Sequence, residues 1–390
     1  MIGYFVIILL AAGSVLAAAL FFRHRQKQVM DGLSDMLEAA INGTFSETTF
    51  DESRQSSLEN RLAQYLAASE LSVRSIDAER EKIKELIADI SHQTRTPLSN
   101  ILLYTELLEE EPLARHTSFR IGGPAAIIAQ PATVEALSEL LKFLAARGIS
   151  PRILGAGTNV LAPDEGLRGV VICTKDALTG LRDLGDGKIE AFAGETLSKT
   201  AVFARNLSLT GLEFAHGIPG TVGGGIYMNA GAYGGEMKQV AAQTTVLTMD
   251  GETRVFAGEA QGFTYRTSAF ESFPAIIVKT VFQLAPGSKE EISARMQELM
   301  DKRRASQPLE LPSAGSTFKR PEGAYAGALI QGANLKGISV GGACVSEKHA
   351  GFIVNAGGAT ARDVKALIEL VQKKVFETSG YSLQPEVRIW

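Results

Sequence analysis

With 390 residues and 45% hydrophobic content, the chain can bury a sizeable core and should divide into two or three domains. A formal net charge of -4 leaves no surplus of Lys and Arg to hold a phosphate polymer, which argues against non-specific nucleic-acid binding and points to small molecules as any nucleotide ligands. Only Cys173 and Cys344 occur, with no second Cys or His at metal-ligand spacing, so they read as reduced thiols of a cytosolic domain and no metal centre is expected.

Met1 to Phe22 contains no charged residue, and a helix of that length, at 1.5 Å per residue, crosses a hydrocarbon core of about 30 Å. The cluster Arg23, His24, Arg25 and Lys27 then stays on the cytoplasmic side, so residues 1–22 read as a single membrane span with the remainder in the cytosol. A cleaved signal peptide is the competing reading, supported by Ala17-Ala18-Ala19. The missing positive n-region and the length of the apolar run favour the anchor.

Residues 23–57 form a polar juxtamembrane linker, richest in Ser, Thr, Asp and Glu after Asn42. From about residue 58 to 110 a long helix is expected. Leu62, Leu66, Ser69, Val73, Ile76, Arg80, Ile83, Ile87, Ile90 and Thr94 recur at alternating steps of four and three, a coiled-coil seam that points to self-association into a dimer. His92, two steps from Ile90 and so about 200° round the helix, faces solvent. The string His92-Gln-Thr-Arg-Thr-Pro97 resembles the phosphoacceptor box of sensor histidine kinases. That resemblance covers residues 1–109 only. No second hairpin helix and no ATP-binding boxes follow Leu108, so His92 reads as a vestigial phosphoacceptor without a kinase in cis. The join between Glu109 and Glu111 has no flexible linker; a gene fusion, an assembly artefact and an engineered junction all remain open.

Beyond Pro112 the pattern alternates. A helix from Val134 to Arg147 ends at Gly148, and a strand over Ser150–Leu154 leads into the turn Gly155-Ala-Gly-Thr-Asn159. An apolar strand spans Gly166–Cys173. The Gly155 turn lacks the third glycine and the later acidic residue of a dinucleotide fingerprint. In His216-Gly-Ile-Pro-Gly-Thr-Val-Gly-Gly-Gly225, glycines come so densely that no ordinary helix or strand is expected. Close turns there would bring bare N–H groups to a phosphate or a flavin ring.

These stretches, with Arg120-Ile-Gly-Gly-Pro124, Thr264-Tyr-Arg-Thr-Ser268, Ser313-Ala-Gly-Ser-Thr-Phe-Lys-Arg-Pro321 and Gln384-Pro-Glu-Val-Arg388, resemble the UDP-N-acetylenolpyruvoylglucosamine reductase (MurB) family in order and approximate spacing. The resemblance implies an α+β chain. An FAD-binding domain of the vanillyl-alcohol-oxidase/MurB type (111–237) would be joined to a smaller α+β substrate domain (238–352). A C-terminal segment (353–390) would complete the site, with the transmembrane helix and long coiled-coil helix in front. It also implies non-covalent FAD contacted by Arg120, Gly122, Gly123, Gly155, Gly157, Thr158, Asn159, Gly217, Pro219, Gly220, Thr221, Gly223 and Gly224.

The implied reaction passes a hydride from NADPH through FAD to the enolpyruvyl ether of UDP-N-acetylglucosamine-enolpyruvate, yielding UDP-N-acetylmuramate for peptidoglycan. The implied catalytic set is Arg266, Ser316 and Glu386. A guanidinium braces the enolate that develops on the substrate carboxylate. The Ser316 hydroxyl protonates the enolate carbon, and Glu386, its carboxyl held partly protonated, supports that step from the opposite end. Asn229, Tyr233 and Lys319 are the implied contacts to the uridine diphosphate. About 280 residues from Glu111 favour the short family form without a tyrosine-bearing loop, and Thr317 stands where an apolar residue is expected. The alternative function is a membrane-anchored signalling protein whose phosphoacceptor helix is joined to a flavin redox module; the missing kinase boxes argue against it. A flavin oxidase acting on a carbohydrate or alcohol would need neither Arg266 nor Ser316.

Overall fold

The computed structural model describes residues 21–25, 27, 30 and 105–390. The chain divides into two compact units, Met1–Glu85 and Leu86–Trp390. In the first, the described residues between Phe21 and Met30 are helical and exposed. Among the described residues no helix is long and apolar enough to cross a membrane. Residues 1–20 of the span read over 1–22, most of the linker, the coiled-coil seam and His92 lie outside the described residues.

The second unit begins with a correction. Residues 105–110, expected to end the long helix, belong to strand β1 (Thr105–Pro112), which pairs antiparallel with β2 (Pro124–Pro131) from Thr105↔Pro131 to Pro112↔Pro124. Leu108 packs against a cluster containing Leu113, Ile128 and Val171. The glutamates suit a helix by propensity, but pairing with a neighbouring strand decides the state.

Around β1 and β2 a four-stranded sheet runs β1-β2-β5-β3, with β5 (Leu167–Cys173) parallel to both β2 and β3 (Arg152–Leu154). Helix α1 (Val134–Ala145) covers it. Thr133 caps its N-terminus, and Ala136, Leu137, Leu140, Leu141 and Leu144 are its buried stripe, the spacing of a helix lying on a sheet.

A second, antiparallel sheet runs β12-β11-β13-β7-β6. It joins β6 (Leu181–Gly185) and β7 (Lys188–Phe192) to β11 (Ala241–Thr248), β12 (Thr253–Ala257) and β13 (Ala275–Gln283). The boundary read at residue 238 therefore cuts through one sheet, because β13 pairs with β7 from Lys279↔Phe192 to Gln283↔Lys188. Strand pairing between segments about 90 residues apart leaves no trace in local composition. Helices α2 (Leu197–Asn206), α3 (Val222–Tyr227) and α4 (Lys289–Ser306) bury apolar residues in the same core.

The third sheet, β15-β18-β17-β16, is built from β15 (Ser313–Ser316), β16 (Ser339–Val340), β17 (Ala343–Val345) and β18 (Phe352–Asn355). Helix α5 (Ala326–Gly332) and helix α6 (Ala361–Ser379) share its core. A capping box of Thr360 and Asp363 starts α6, and Gly380, in left-handed geometry, ends it. Residues 353–390 are thus continuous with this layer, since β18 lies inside its sheet. The chain then doubles back, so that β19 (Arg388–Ile389) pairs parallel with β4 (Val160–Leu161).

Candidate active site

A cleft of about 870 Å³ opens between these layers. One wall is backbone. Gly155–Asn159, Pro219–Thr221 and Gly223–Gly225 line it side by side, and the Thr158 hydroxyl donates to the Pro219 carbonyl at 3.1 Å. The two turns are pressed together: a Cβ on Gly155 would lie 2.6 Å from Thr221 Oγ1, and one on Gly157 (φ +61) only 2.1 Å from the His116 carbonyl oxygen.

The glycine run is itself a helix, contrary to the reading that no helix could persist there. Thr221 caps α3 (Val-Gly-Gly-Gly-Ile-Tyr), and the helix exists because its neighbours leave no space for side chains. A Cβ on Gly223 would meet Ala193 Cβ at 3.0 Å, and one on Gly225 would meet Leu197 at 3.1 Å. Tertiary approach here outweighs the propensity cost of about 1 kcal/mol per glycine.

The opposite wall is side chain, drawn from remote segments. Arg266 sits on the tight turn Thr264–Thr267, whose end residues exchange backbone hydrogen bonds of 3.0 and 3.3 Å. Its own φ is +55, a left-handed conformation that costs a side-chain-bearing residue about 1–3 kcal/mol and persists where the surroundings over-determine it. Its Nη2 donates to the Gly231 carbonyl at 3.1 Å. Its Nε lies 2.9 Å from Glu386 Oε1, an ion-pair contact off the N–H axis, so that N–H has no aligned acceptor.

Ser316 ends β15 on the same cleft. The adjoining Thr317 carbonyl accepts from the Glu386 N–H at 2.8 Å, which couples the serine strand to the carboxylate segment. Thr317, in the position expected to be apolar, is buried, and its hydroxyl accepts from the Ile353 N–H at 3.0 Å. Burial pushes the Glu386 carboxyl above the usual carboxylate range, against the opposing pull of Arg266, Lys319 and Arg388. Arg266, Ser316 and Glu386, scattered over 120 residues of sequence, therefore line one cavity.

Other sequence-read contacts lie elsewhere. Arg120, Gly122, Gly123 and Gly217 do not line the cleft. Gly122 and Gly123 are close backbone approaches, where a Cβ would come within 2.7 Å of Ala162 Cβ and 2.2 Å of the Asp164 carbonyl oxygen. The Arg120 side chain is exposed, and Gly217 packs against Arg303. Asn229, read as a substrate contact, is buried and spends its amide internally. It donates to Glu236 at 3.0 Å and to the Thr264 carbonyl at 2.9 Å, and it accepts from the Lys238 N–H at 2.9 Å. It braces the Arg266 turn. Tyr233 is exposed outside the cleft lining. Lys319 also lies outside the lining, though its charge reaches Glu386 and Glu271.

The cleft has further polar residues that local sequence patterns did not single out. Arg388 donates to Glu271 at 2.6 Å, beside Tyr227 and the Met228 sulfur. Arg303 and Gln307 from the end of α4 line another part; the Gln307 side-chain oxygen is buried with no donor, and burial holds the Arg303 guanidinium below its ordinary pKa. Of these only Arg388 carried a signal, as the last residue of the string Gln384-Pro-Glu-Val-Arg388.

The apolar stretch of the cleft, including Ile153, Leu154, Pro274, Ile276 and Ile277, beside bare glycine turns, fits a long ligand with a flat ring system and a pyrophosphate. A model of an FAD binding domain matches residues 125–257. A model of the C-terminal domain of UDP-N-acetylenolpyruvoylglucosamine reductase matches residues 307–390, and the His Kinase A phospho-acceptor domain matches residues 82–119. The UDP-N-acetylenolpyruvoylglucosamine reductase of Caldanaerobacter subterraneus subsp. tengcongensis is 48% identical over 294 residues, covering 75% of this chain and 96% of that protein. The Clostridium botulinum (strain Eklund 17B / Type B) reductase is 44% identical over 295 residues, with 76% and 96% covered. Among solved structures, the reductase (MurB) from Thermus caldophilus superposes with a TM-score of 0.61 at 35% identity, covering 73% of this chain and 98% of that one.

Proposed function

We propose that this chain, which belongs to the UDP-N-acetylenolpyruvoylglucosamine reductase family, catalyses the NADPH-dependent reduction of UDP-N-acetylglucosamine-enolpyruvate to UDP-N-acetylmuramate in peptidoglycan precursor synthesis. The observation that carries this reading is the convergence of Arg266, Ser316 and Glu386 on one cleft whose facing wall is glycine backbone.

Gly155, Gly157, Thr158, Asn159, Pro219, Gly220, Thr221, Gly223 and Gly224 hold FAD non-covalently; the glycine-rich cleft that they line supports this assignment. Bound FAD supplies a hydride carrier between NADPH and the substrate. The chain's own residues do the rest. Arg266 braces the substrate carboxylate as its negative charge grows, a role suited to a guanidinium already fixed by Gly231 and Glu386. Ser316 gives its hydroxyl proton to the substrate carbon bearing the ether oxygen. Glu386, biased by burial toward its protonated form, donates a hydrogen bond on the far side of that centre.

At the N-terminus, the apolar stretch Met1–Phe22 followed by Arg23, His24 and Arg25 supports a single membrane tether to the inner face of the plasma membrane, and the heptad seam supports a dimer. Recovery of the full-length chain in a carbonate-washed membrane pellet tests the tether.

Purified holoprotein should be yellow, release its flavin on denaturation, and turn over NADPH catalytically, beyond one equivalent per flavin, only when UDP-N-acetylglucosamine-enolpyruvate is added. The Ser316→Ala variant should keep its flavin and lose about 10²- to 10⁴-fold in kcat. Undiminished turnover in that variant rejects the donor, and the absence of substrate-dependent NADPH loss in the unmodified protein rejects the enzyme.

A further inference from the structure

Arg266 and Glu386 stand on different parts of the fold. The first is on the turn between β12 and β13, and the second is on the segment returning from the third sheet. Their direct contact is a single one, at 2.9 Å. A second carboxylate touches both segments. Glu271 Oε2 accepts from the Thr267 hydroxyl at 2.9 Å, next in sequence to Arg266. Glu271 Oε1 accepts from Arg388 Nη1 at 2.6 Å, two residues beyond Glu386. The loop end bearing Glu271 is held from below, since the Ser268 hydroxyl donates to the Tyr227 carbonyl at 2.8 Å and Phe270 is buried. The Arg388 segment is held in turn by its N–H donating to the Asn159 carbonyl at 2.9 Å and by Asn159 Nδ2 donating to the Glu386 carbonyl at 3.1 Å.

We propose that Glu271 is a positioning residue for the reaction: a strap, through Thr267 and Arg388, that holds the Arg266 turn against the Glu386 segment. The strap rests on the assignment of Arg266 and Glu386 to the chemistry. An isolated ion pair that is a third exposed, as Arg388 and Glu271 are, contributes little to stability. The value of this pair lies in geometry, because displacement of a reacting group by about 1 Å costs about 10²-fold in rate.

Electrostatics give the strap a second readout. The groups whose charges act on Glu386 are Arg266, Lys319 and Arg388, and those acting on Glu271 are Arg388 and Lys319, with Thr267 bonded to it. Neutralising Glu271 leaves the Arg388 charge unopposed beside Glu386, so Glu386 surrenders its proton at lower pH.

The test is steady-state kinetics on the holoenzyme across pH for Glu271→Gln, Arg388→Gln and the double variant. Glu271→Gln should reduce kcat by about 10- to 100-fold, with flavin content and flavin bleaching by NADPH in the absence of substrate unchanged. The basic limb of its kcat profile should move to lower pH. The double variant should be no slower than the slower single and should move that limb back. If Glu271→Gln does not fold, Thr267→Val removes only the Oε2 anchor and should still reduce kcat with flavin retained. Wild-type kcat in Glu271→Gln, or a slowed kcat with an unmoved limb and losses that add in the double variant, overturns the strap. Wild-type turnover in Glu386→Gln overturns the catalytic reading beneath it, and the strap with it.

Discussion

The two walls of the cleft are made of different material. The wall of Gly155–Asn159 and Pro219–Gly225 is backbone from two turns that touch each other. The facing wall is assembled from single side chains on the 264–271 loop, β15 and the C-terminal segment. On the first wall the glycines serve by having no side chain. On the second, each residue serves by placing one polar atom. Damage to the first should therefore appear as lost cofactor and lost fold together, whereas damage to the second should appear as lost rate in a folded, yellow protein.

The sharpest way to break that contrast is Gly157→Val. Its new Cβ would lie 2.1 Å from the His116 carbonyl oxygen and its φ of +61 is strained for a β-branched residue, so relief requires moving backbone. The protein is expected to be colourless and to melt well below the unmodified form, measured by flavin absorbance and differential scanning calorimetry. A yellow, fully stable variant would show that the glycine wall tolerates side chains.

A smaller effect is expected from Arg266→Lys, which belongs to the second wall. It keeps a positive charge but loses the fixed fork that reaches both Gly231 and Glu386. Loss of one oriented donor to developing charge costs about 10²- to 10³-fold in kcat, with flavin content unchanged. Loss of flavin in this variant would erase the distinction between the walls.

The same difference governs how much could be read without coordinates. The glycine turns were legible because a backbone wall is written locally, in runs such as Gly223-Gly224-Gly225. Even there α3 escaped notice, because what permits it is the nearness of Ala193 and Leu197, about 30 residues upstream. The proposed trio of Arg266, Ser316 and Glu386 could be singled out only through whole strings compared with a family, since an Arg, a Ser or a Glu alone carries no site signal. Glu271 and Arg303 had no such string. Strand β1 was misread as helix because its glutamates favour a helix by propensity and its strand partner begins twelve residues after Pro112. Gly122 and Gly123, expected as FAD contacts, lie outside the cleft lining, and what presses on them is Ala162 and Asp164.

The smallest expected effect compares two carboxylates on the side-chain wall. Burial raises Glu386 above the ordinary carboxylate pKa, while the hydrogen bond from Arg388 lowers Glu271 below it. For Glu386, the folded state holds its proton more tightly than the unfolded chain does. Its contribution is fully present below the unfolded pKa and is lost as pH rises through the raised folded pKa. For Glu271, the contribution is present above the unfolded pKa and is lost as pH falls through the depressed one. Thermal melts of the two glutamine variants from acid, below the ordinary carboxyl range, to neutral pH should therefore diverge. Relative to the unmodified protein, Glu386→Gln should gain melting temperature as pH rises through the ordinary carboxyl range and beyond it, and Glu271→Gln should lose it as pH rises into that range. Parallel slopes would mean that the two carboxylates share one environment, and the Arg388 contact would then have no part in separating them.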